Sequence, residues 1–169
     1  YFAWGETAEK ADYTWDTYKW GIYDDSEKTD YGMTKYNKTD GLTTLEAVDD
    51  PATVNWGGKW RSPTEEEILE LLDKCDWTWT AKKDANNNDI YGCTIISKIN
   101  GKSIFLPAAG SLYETSLLDD GTYGVYWSAS YDCSVPNAGI RLIFNNHLNK
   151  DCTYRSRYEG LSVRAVIAK

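Results

Sequence analysis

Residues 126–169 read YWSASYDCSVPNAGIRLIFNNHLNKDCTYRSRYEGLSVRAVIAK. Two kinds of position alternate there. Trp127, Ala138, Leu142, Phe144, Val163 and Val166 are apolar and regularly placed. Between them stand Tyr131, Asp132, Cys133, Asn137, Arg141, Asn145, His147, Asn149, Asp151, Cys152, Tyr154, Ser156 and Tyr158, which share no chemistry. YWSAS, GIRLIF and GLSVRAVIA read as three strands, with NNHLNKD as a connecting turn. Successive strand side chains point to opposite faces. Ile140, Leu142 and Phe144 therefore point one way, and Arg141, Ile143 and Asn145 the other. In the last strand Leu161, Val163, Ala165 and Ile167 share a face. A regular skeleton carrying irregular polar and aromatic groups predicts a sheet with one face in the core. The other face is expected to be a display surface that binds a macromolecule or glycan and does no chemistry.

The rest of the chain supports one domain, residues 1–169, with residues 126–169 as its display region. Its 169 residues are 41% apolar, enough to bury a substantial core. Eight Trp and thirteen Tyr stand against three Phe. Trp and Tyr carry a polar tip, which suits half-buried sheets and binding faces. The net charge is −8, the opposite of the basic footprint that nucleic acid requires. No run of 18 apolar residues offers a membrane span. The chain opens on Tyr1 rather than Met, which reads as a processed or partial chain with any signal or anchor outside it. Cys75, Cys93, Cys133 and Cys152 form no C-x-x-C pair, so zinc sites and dithiol redox chemistry are not expected. Their even number permits disulfides without showing them.

YFAWGE (residues 1–6) reads as a strand. Residues 7–44 lack any sustained period and read as a long ordered loop. Trp15, Tyr18, Trp20, Tyr23, Tyr31 and Tyr36 would pin it. Asp49-Asp50-Pro51 is a helix start, and Gly57-Gly58 a stop. In PTEEEILELLDKC, Thr64 and Glu67 make a capping box. Ile68, Leu71, Leu72 and Cys75 form one buried helical stripe. Glu65, Glu66 and Glu67 complement the positive helix end rather than forming a catalytic cluster. DWTWT and IYGCTIISKI read as strands around the turn DANNND. That turn places oxygen ligands as a calcium loop begins, but Ile95 stands where the loop's last glutamate belongs. Asn100-Gly101 predicts a type I′ hairpin turn into KSIFLPAAG. Residues 111–124 read as a polar loop.

Four motifs together carry a resemblance: GGKWRSPT, IFLPAAG, YWSAS and SVRAV. Over nearly its whole length the chain resembles the Fibrobacter succinogenes major paralogous domain family, found in surface proteins of gut Bacteroidota. That family belongs with the C-type-lectin-like fold, shared with formylglycine-generating enzymes and with the variable proteins of diversity-generating retroelements. The resemblance implies an α+β domain: two helices packed on twisted antiparallel sheets, long ordered loops and neighbouring termini. It also implies a place at the cell surface or outside the cell, or on a phage virion. Retroelement-diversified proteins vary at adenines, mostly in Asn codons. Such codons cannot become Glu, Gln, Met, Trp or Lys, and between Ala129 and Tyr158 only Lys150 comes from that excluded set. The resemblance thus implies Tyr131, Asp132, Cys133, Asn137, Arg141, Ile143, Asn145, His147, Asn149, Asp151, Tyr154, Ser156 and Tyr158 as variable, ligand-facing positions.

Four functions follow from these readings. The first is an adhesin or receptor with a variable face. Tyr, Asn, Ser and Gly supply ten of the 28 residues from Tyr131 to Tyr158, a composition typical of binding loops. The second is an enzyme of the formylglycine-generating type. Its copper-holding cysteines lie close together, whereas Cys133 and Cys152 are nineteen residues apart, and His147 is the single histidine. The third is calcium-dependent sugar binding, for which Val135-Pro136-Asn137 lacks the acidic ligand. The fourth is a structural or assembly module of a surface lipoprotein, pilus tip or tail fibre. The first is the expectation carried forward, with no cofactor or metal, an unknown macromolecular or glycan ligand, other subunits of a surface assembly as further partners, and no nucleic acid.

Overall fold

The computed structural model describes residues 1–22 and 32–168. The chain folds as a small α+β structure with two helices and several antiparallel sheets. Tyr23 and Tyr31, expected as loop anchors, lie outside the described residues.

Helix α1 (Pro51–Trp56) starts where Asp50 caps it, with Pro51 at the first position, and ends at Gly57. Asp50 is almost fully buried. Its carboxylate also accepts from the Ser62 amide and hydroxyl, at 2.8 and 2.6 Å, so the cap ties the helix to the next segment. Strand β1 (Trp60–Arg61) follows, then α2 (Glu65–Lys74). Both halves of the expected capping box form, and Arg61 pairs with Glu67. Cys75 is not on the helix: it is the cap residue and the first residue of β2 (Cys75–Lys83).

Strands β2, β3 (Asp89–Ser97) and β4 (Ser103–Pro107) make one antiparallel sheet in that order. The 84–88 turn is closed by Asp84, whose side chain accepts from the Asn86 and Asn88 amides. The β3–β4 connection differs from the expected two-residue turn. Ser97 pairs with Lys102 across a four-residue loop, and Gly101 takes positive φ while Asn100 does not. The expected loop at 111–124 contains a hairpin, β5 (Ser111–Tyr113) and β6 (Ser116–Leu118). Its turn places Glu114 at φ 53°, without the glycine that marks tight turns in a sequence.

The third sheet is β7 (Tyr123–Trp127), β8 (Ala138–Asn145) and β9 (Lys150–Ser156). The expected turn at 145–151 is shorter, because β9 already begins at Lys150. GLSVRAVIA is not one strand of this sheet. Leu161 bridges Phe2, Ser162 bridges Tyr126, and only β10 (Val166–Ile167) is a strand, paired with β1. The chain is therefore carried off the sheet toward β1, and Leu161 is buried while Ile167 is exposed. YFAWGE likewise contributes a single bridge at Phe2. The mutual Phe2–Leu161 amide bonds bring the first residues against the C-terminal segment.

Three apolar clusters fill the interior. One joins Ile68 of α2, Cys93, Ile95 and Leu106 of the β2–β4 sheet, and Tyr126, Leu142 and Phe144 of β7 and β8. The second, on the opposite face of β7–β9, gathers Trp4, Tyr36, Val125, Trp127, Tyr131 and Leu161. The third holds Ala3, Tyr13, Tyr18 and Met33. The β7–β9 sheet is thus covered on both faces at its β7 side. Two glycines permit this close approach. A Cβ on Gly124 would lie 2.0 Å from the Phe144 ring, and one on Gly139 would lie 2.7 Å from Trp4.

The long N-terminal segment is held as anticipated, by aromatic side chains. Tyr18 donates to the Trp4 carbonyl at 2.8 Å and Trp20 to the Gly5 carbonyl at 3.0 Å. Trp15 meets Tyr158 edge-on at 4.8 Å. Tyr36 donates to Asp49, which also binds Lys19 and Lys35. Burial alone would raise the Asp49 pKa, but the hydrogen bonds from Lys35, Tyr36 and Lys19 hold it below the usual aspartate value.

Candidate ligand-binding face

Strand pairing fixes which side chains share a face. Arg141 stands opposite Thr153 and Trp127, and Ile143 opposite Asp151 and Val125. These residues, with Asn145, Tyr123 and Arg155, occupy the face away from α2. Leu142 stands opposite Cys152, and Ile140 opposite Tyr154. Tyr154 and Ser156 therefore lie on the α2 side of β9, not with Arg141 and Asp151. The thirteen expected positions do not form one tier, because β9 alternates as strictly as β8.

Three of them are structural. Tyr131 is 4% exposed and belongs to the second core cluster. Its ring lies 4.2 Å from the guanidinium of Arg157, which is itself fully buried and sits 4.7 Å from Trp4. Arg157 donates to the Ala138, Lys35 and Tyr36 carbonyls. It thereby joins the sheet to the N-terminal loop. Asn145 is 6% exposed, and its carboxamide oxygen accepts from the His147 and Asn149 amides at 3.0 and 3.1 Å. That bond shapes the β8–β9 turn, in which Leu148 takes positive φ. Tyr158 is wedged between Trp15 and Tyr113, and burial pushes its pKa up to about 12. These corrections share one reason: a Tyr or Asn between strands also serves as filler or turn staple, and composition does not separate the uses.

The remaining positions form two patches. In the first, Ile143, Asn149 and Asp151 line an open depression of about 320 Å³ with Tyr123, Lys150 and the structural Asn145. His147 is exposed on the adjoining turn. In the second, the Tyr154 hydroxyl donates to Asp132 at 2.7 Å, and the exposed Cys133 follows. The Ser134 amide and Tyr154 hold the Asp132 carboxyl below its usual pKa, and that bond raises the Tyr154 pKa. Asn137 and Ser156 border the loop-to-strand transition, where the Arg157 amide donates to the Asn137 carbonyl.

Arg141 occupies the next rung of the first patch. It is half-buried, and its Nε is enclosed without an acceptor. Burial, then the neighbouring charge of Arg155, pushes its pKa down to about 10. Arg155 is engaged by Glu159, whose carboxyl burial raises above the usual range despite that partner.

Sequence reasoning missed Tyr123, Lys150, Arg155 and Glu159. Tyr123 fell in a stretch read as loop, and Lys150 is a residue that adenine substitution of Asn codons cannot produce. Arg155 and Glu159 show no signal until β9 is recognised as a strand. Among the described residues no group of three His, Cys, Asp or Glu could hold a metal ion. All four cysteines are free thiols. The face offers an amide, carboxylates, cations, phenols and a branched alkyl chain, which can hydrogen-bond and pack against a ligand. No described helix is long and apolar enough to cross a membrane. No protein-family model, no curated protein and no solved structure matches the chain.

Proposed function

We propose that this chain is a ligand-binding domain of an adhesin or receptor, with a C-type-lectin-like fold displayed at a cell surface. Its β8–β9 face recognises a protein or glycan target, without catalysis. The observation that supports the reading is the open depression bounded by Tyr123, Ile143, Asn149, Lys150 and Asp151. Its walls are chemically mixed, while Leu142, Phe144 and Tyr126 on the reverse of the same strands fix the backbone. Side chains on the open face can then change without repacking the first core cluster. This is the physical requirement for a surface diversified by a retroelement, which we propose for the exposed positions Cys133, His147, Asn149, Asp151 and Tyr154 and the half-buried Asp132 and Ile143.

The test is direct. The immobilised chain is screened against a glycan array and a panel of surface proteins. A double variant, Asn149→Ala with Asp151→Ala, is expected to lose binding by tenfold or more with an unchanged melting temperature, since both side chains are exposed. Binding that survives in the folded variant places recognition elsewhere. Diversification has its own test: a reverse transcriptase gene nearby, beside a near-copy of the 3′ coding segment differing only at adenines.

One observation favours a second reading, an assembly module. Trp56 and Trp60 are 51% and 40% exposed and line a separate depression with Val163, Arg164 and Ala165, while the nearby Ile167 is 59% exposed. An apolar patch of this kind on one surface is the mark of a subunit contact. Trp56→Ser with Trp60→Ser would then abolish association of the chain and leave ligand capture intact.

A further inference from the structure

Arg141 is unlike the other shielded arginines of the chain. Arg61 is paired with Glu67, Arg155 with Glu159, and Arg157 with three carbonyls and two aromatic rings. Arg141 has no acceptor among the described residues, and its Nε is enclosed. A guanidinium carries five N–H donors, and leaving the enclosed Nε–H unmet is costly. Arg155 lies diagonally across the ladder on the same face, since it pairs with Gly139 while Arg141 pairs with Thr153. The one carboxylate buried nearby, Glu159, is taken by Arg155. Glu159 and the exposed Asp151 act on Arg141 through charge alone.

The next rung beyond Arg141 is Ile143 with Asp151, the wall of the depression. There the groups are of both polarities. Asn149 donates and accepts, Lys150 donates, and the exposed Asp151 accepts. Tyr123 and Ile143 supply apolar surface. A ligand suited to both rungs carries a single carboxylate for Arg141. It also carries hydroxyl donors for Asp151, acceptors for Lys150 and Asn149, and a C–H face for Tyr123 and Ile143. A polyacidic peptide meets the first demand and is repelled by Asp151. A neutral sugar meets the others and leaves Arg141 unpaired.

We infer that Arg141 anchors a subsite for a carboxylate-bearing sugar, a uronic or nonulosonic acid unit at a glycan end. The inference rests on the proposed binding role of this face and names the ligand class that face takes. Arg141 meets the carboxylate end-on, through its two terminal nitrogens, since Nε is enclosed. The depression beside it then accepts the sugar ring.

The full chain is titrated at low salt with N-acetylneuraminic acid and glucuronic acid, and with N-acetylglucosamine and glucose as neutral partners. Ligand-observed NMR and calorimetry give the readout. At least one acidic sugar is expected to bind tenfold or more tightly than its neutral partner, and to weaken in high salt. Arg141→Gln is expected to remove that preference. Arg141→Lys, which keeps the charge but not the fork, retains part of it. The melting temperature of Arg141→Gln is expected to equal or exceed that of the parent, because an unpaired charge has been removed from a shielded place. Equal binding of acidic and neutral sugars by the parent chain overturns the inference without recourse to any variant. So does a preference that survives Arg141→Gln, or tighter Arg141-dependent capture of a polyglutamate peptide. A target lost on Asn149→Ala with Asp151→Ala but kept on Arg141→Gln overturns the carboxylate subsite and leaves the binding face standing. A target kept by both variants overturns both.

Discussion

At the scale of single residues, burial and partners decide what a side chain is for. Tyr131 lies in a binding-type stretch, yet it is packed against both Trp4 and Arg157 with its hydroxyl enclosed and unpartnered. Removing an unmet hydroxyl from the interior costs nothing in hydrogen bonds, whereas removing the ring leaves a cavity. Tyr131→Phe is therefore expected to change stability by less than about 0.5 kcal/mol. Tyr131→Ala is expected to cost about 3–5 kcal/mol in a urea melt. The reverse ranking would mean the hydroxyl has a role that packing does not show. The cysteines divide in the same way. Cys93 is fully buried, and burial pushes its thiol and that of Cys152 up to about 11. Burial also raises the Cys75 thiol, while Cys133 is exposed on its loop. The thiolate is the reacting form. Native protein is expected to show one fast-reacting thiol toward an aromatic disulfide reagent, lost in Cys133→Ser, with the other three appearing on unfolding.

At the scale of elements, the described residues of the N-terminal segment form no helix or strand, and are held by isolated backbone bridges, as at Tyr13 and Thr44, together with side-chain ties. Asp49 gathers three of them, from Lys19, Lys35 and Tyr36. Its folded pKa lies below its ordinary value of 3.8. An acid shifted downward adds stability above its unfolded pKa, and that stability is lost as pH falls through the folded one. Asp49→Asn is expected to cost about 2 kcal/mol at neutral pH. The gap from the parent should close between about pH 5 and pH 2, read by thermal melts across that range. A gap that stays constant would show that shape, not charge, holds the loop. Elements with strong local grammar were legible in the sequence: the Asp50-Pro51 start, the Thr64–Glu67 box and the β2–β3 pair with its Asp84 turn. Those that escaped have weak local grammar. The β5–β6 turn uses Glu114 rather than glycine at positive φ. β9 reads KDCTYRS, an alternation without an apolar face. The C-terminal GLSVRAVIA has strand composition, but where it pairs is a long-range matter: Ser162 bonds β7 and Val166 pairs with β1.

At the scale of the molecule, the β7–β9 sheet has its first core cluster on one side, and on the other the second cluster at β7 and an open face at β9. The expectation of a single core face held for Ile140, Leu142 and Phe144. It failed for Tyr131 and Tyr158, because the N-terminal segment folds over part of the other face and no local pattern announces a cover that arrives from more than a hundred residues away, and for Asn145, whose side chain is turned onto the 147 and 149 amides. The geometry therefore separates two classes within one stretch of similar composition. A library with Tyr131, Cys133, Asn145, His147, Asn149, Asp151 and Tyr158 randomised together can be sorted for protease resistance, which selects folding and ignores ligand. Folded clones are expected to keep large aromatics at 131 and 158, where the rings meet Arg157 and Trp15. At 145 they should keep Asn or Asp, because a side-chain oxygen must accept the 147 and 149 amides, each bond worth about 1 kcal/mol. At 133, 147, 149 and 151 any residue but proline should survive, since these side chains are exposed and nothing in the core clusters rests on them. Equal restriction at all seven positions would mean that the outer tier carries the fold as well, and a surface that must keep its side chains cannot serve as one that varies them.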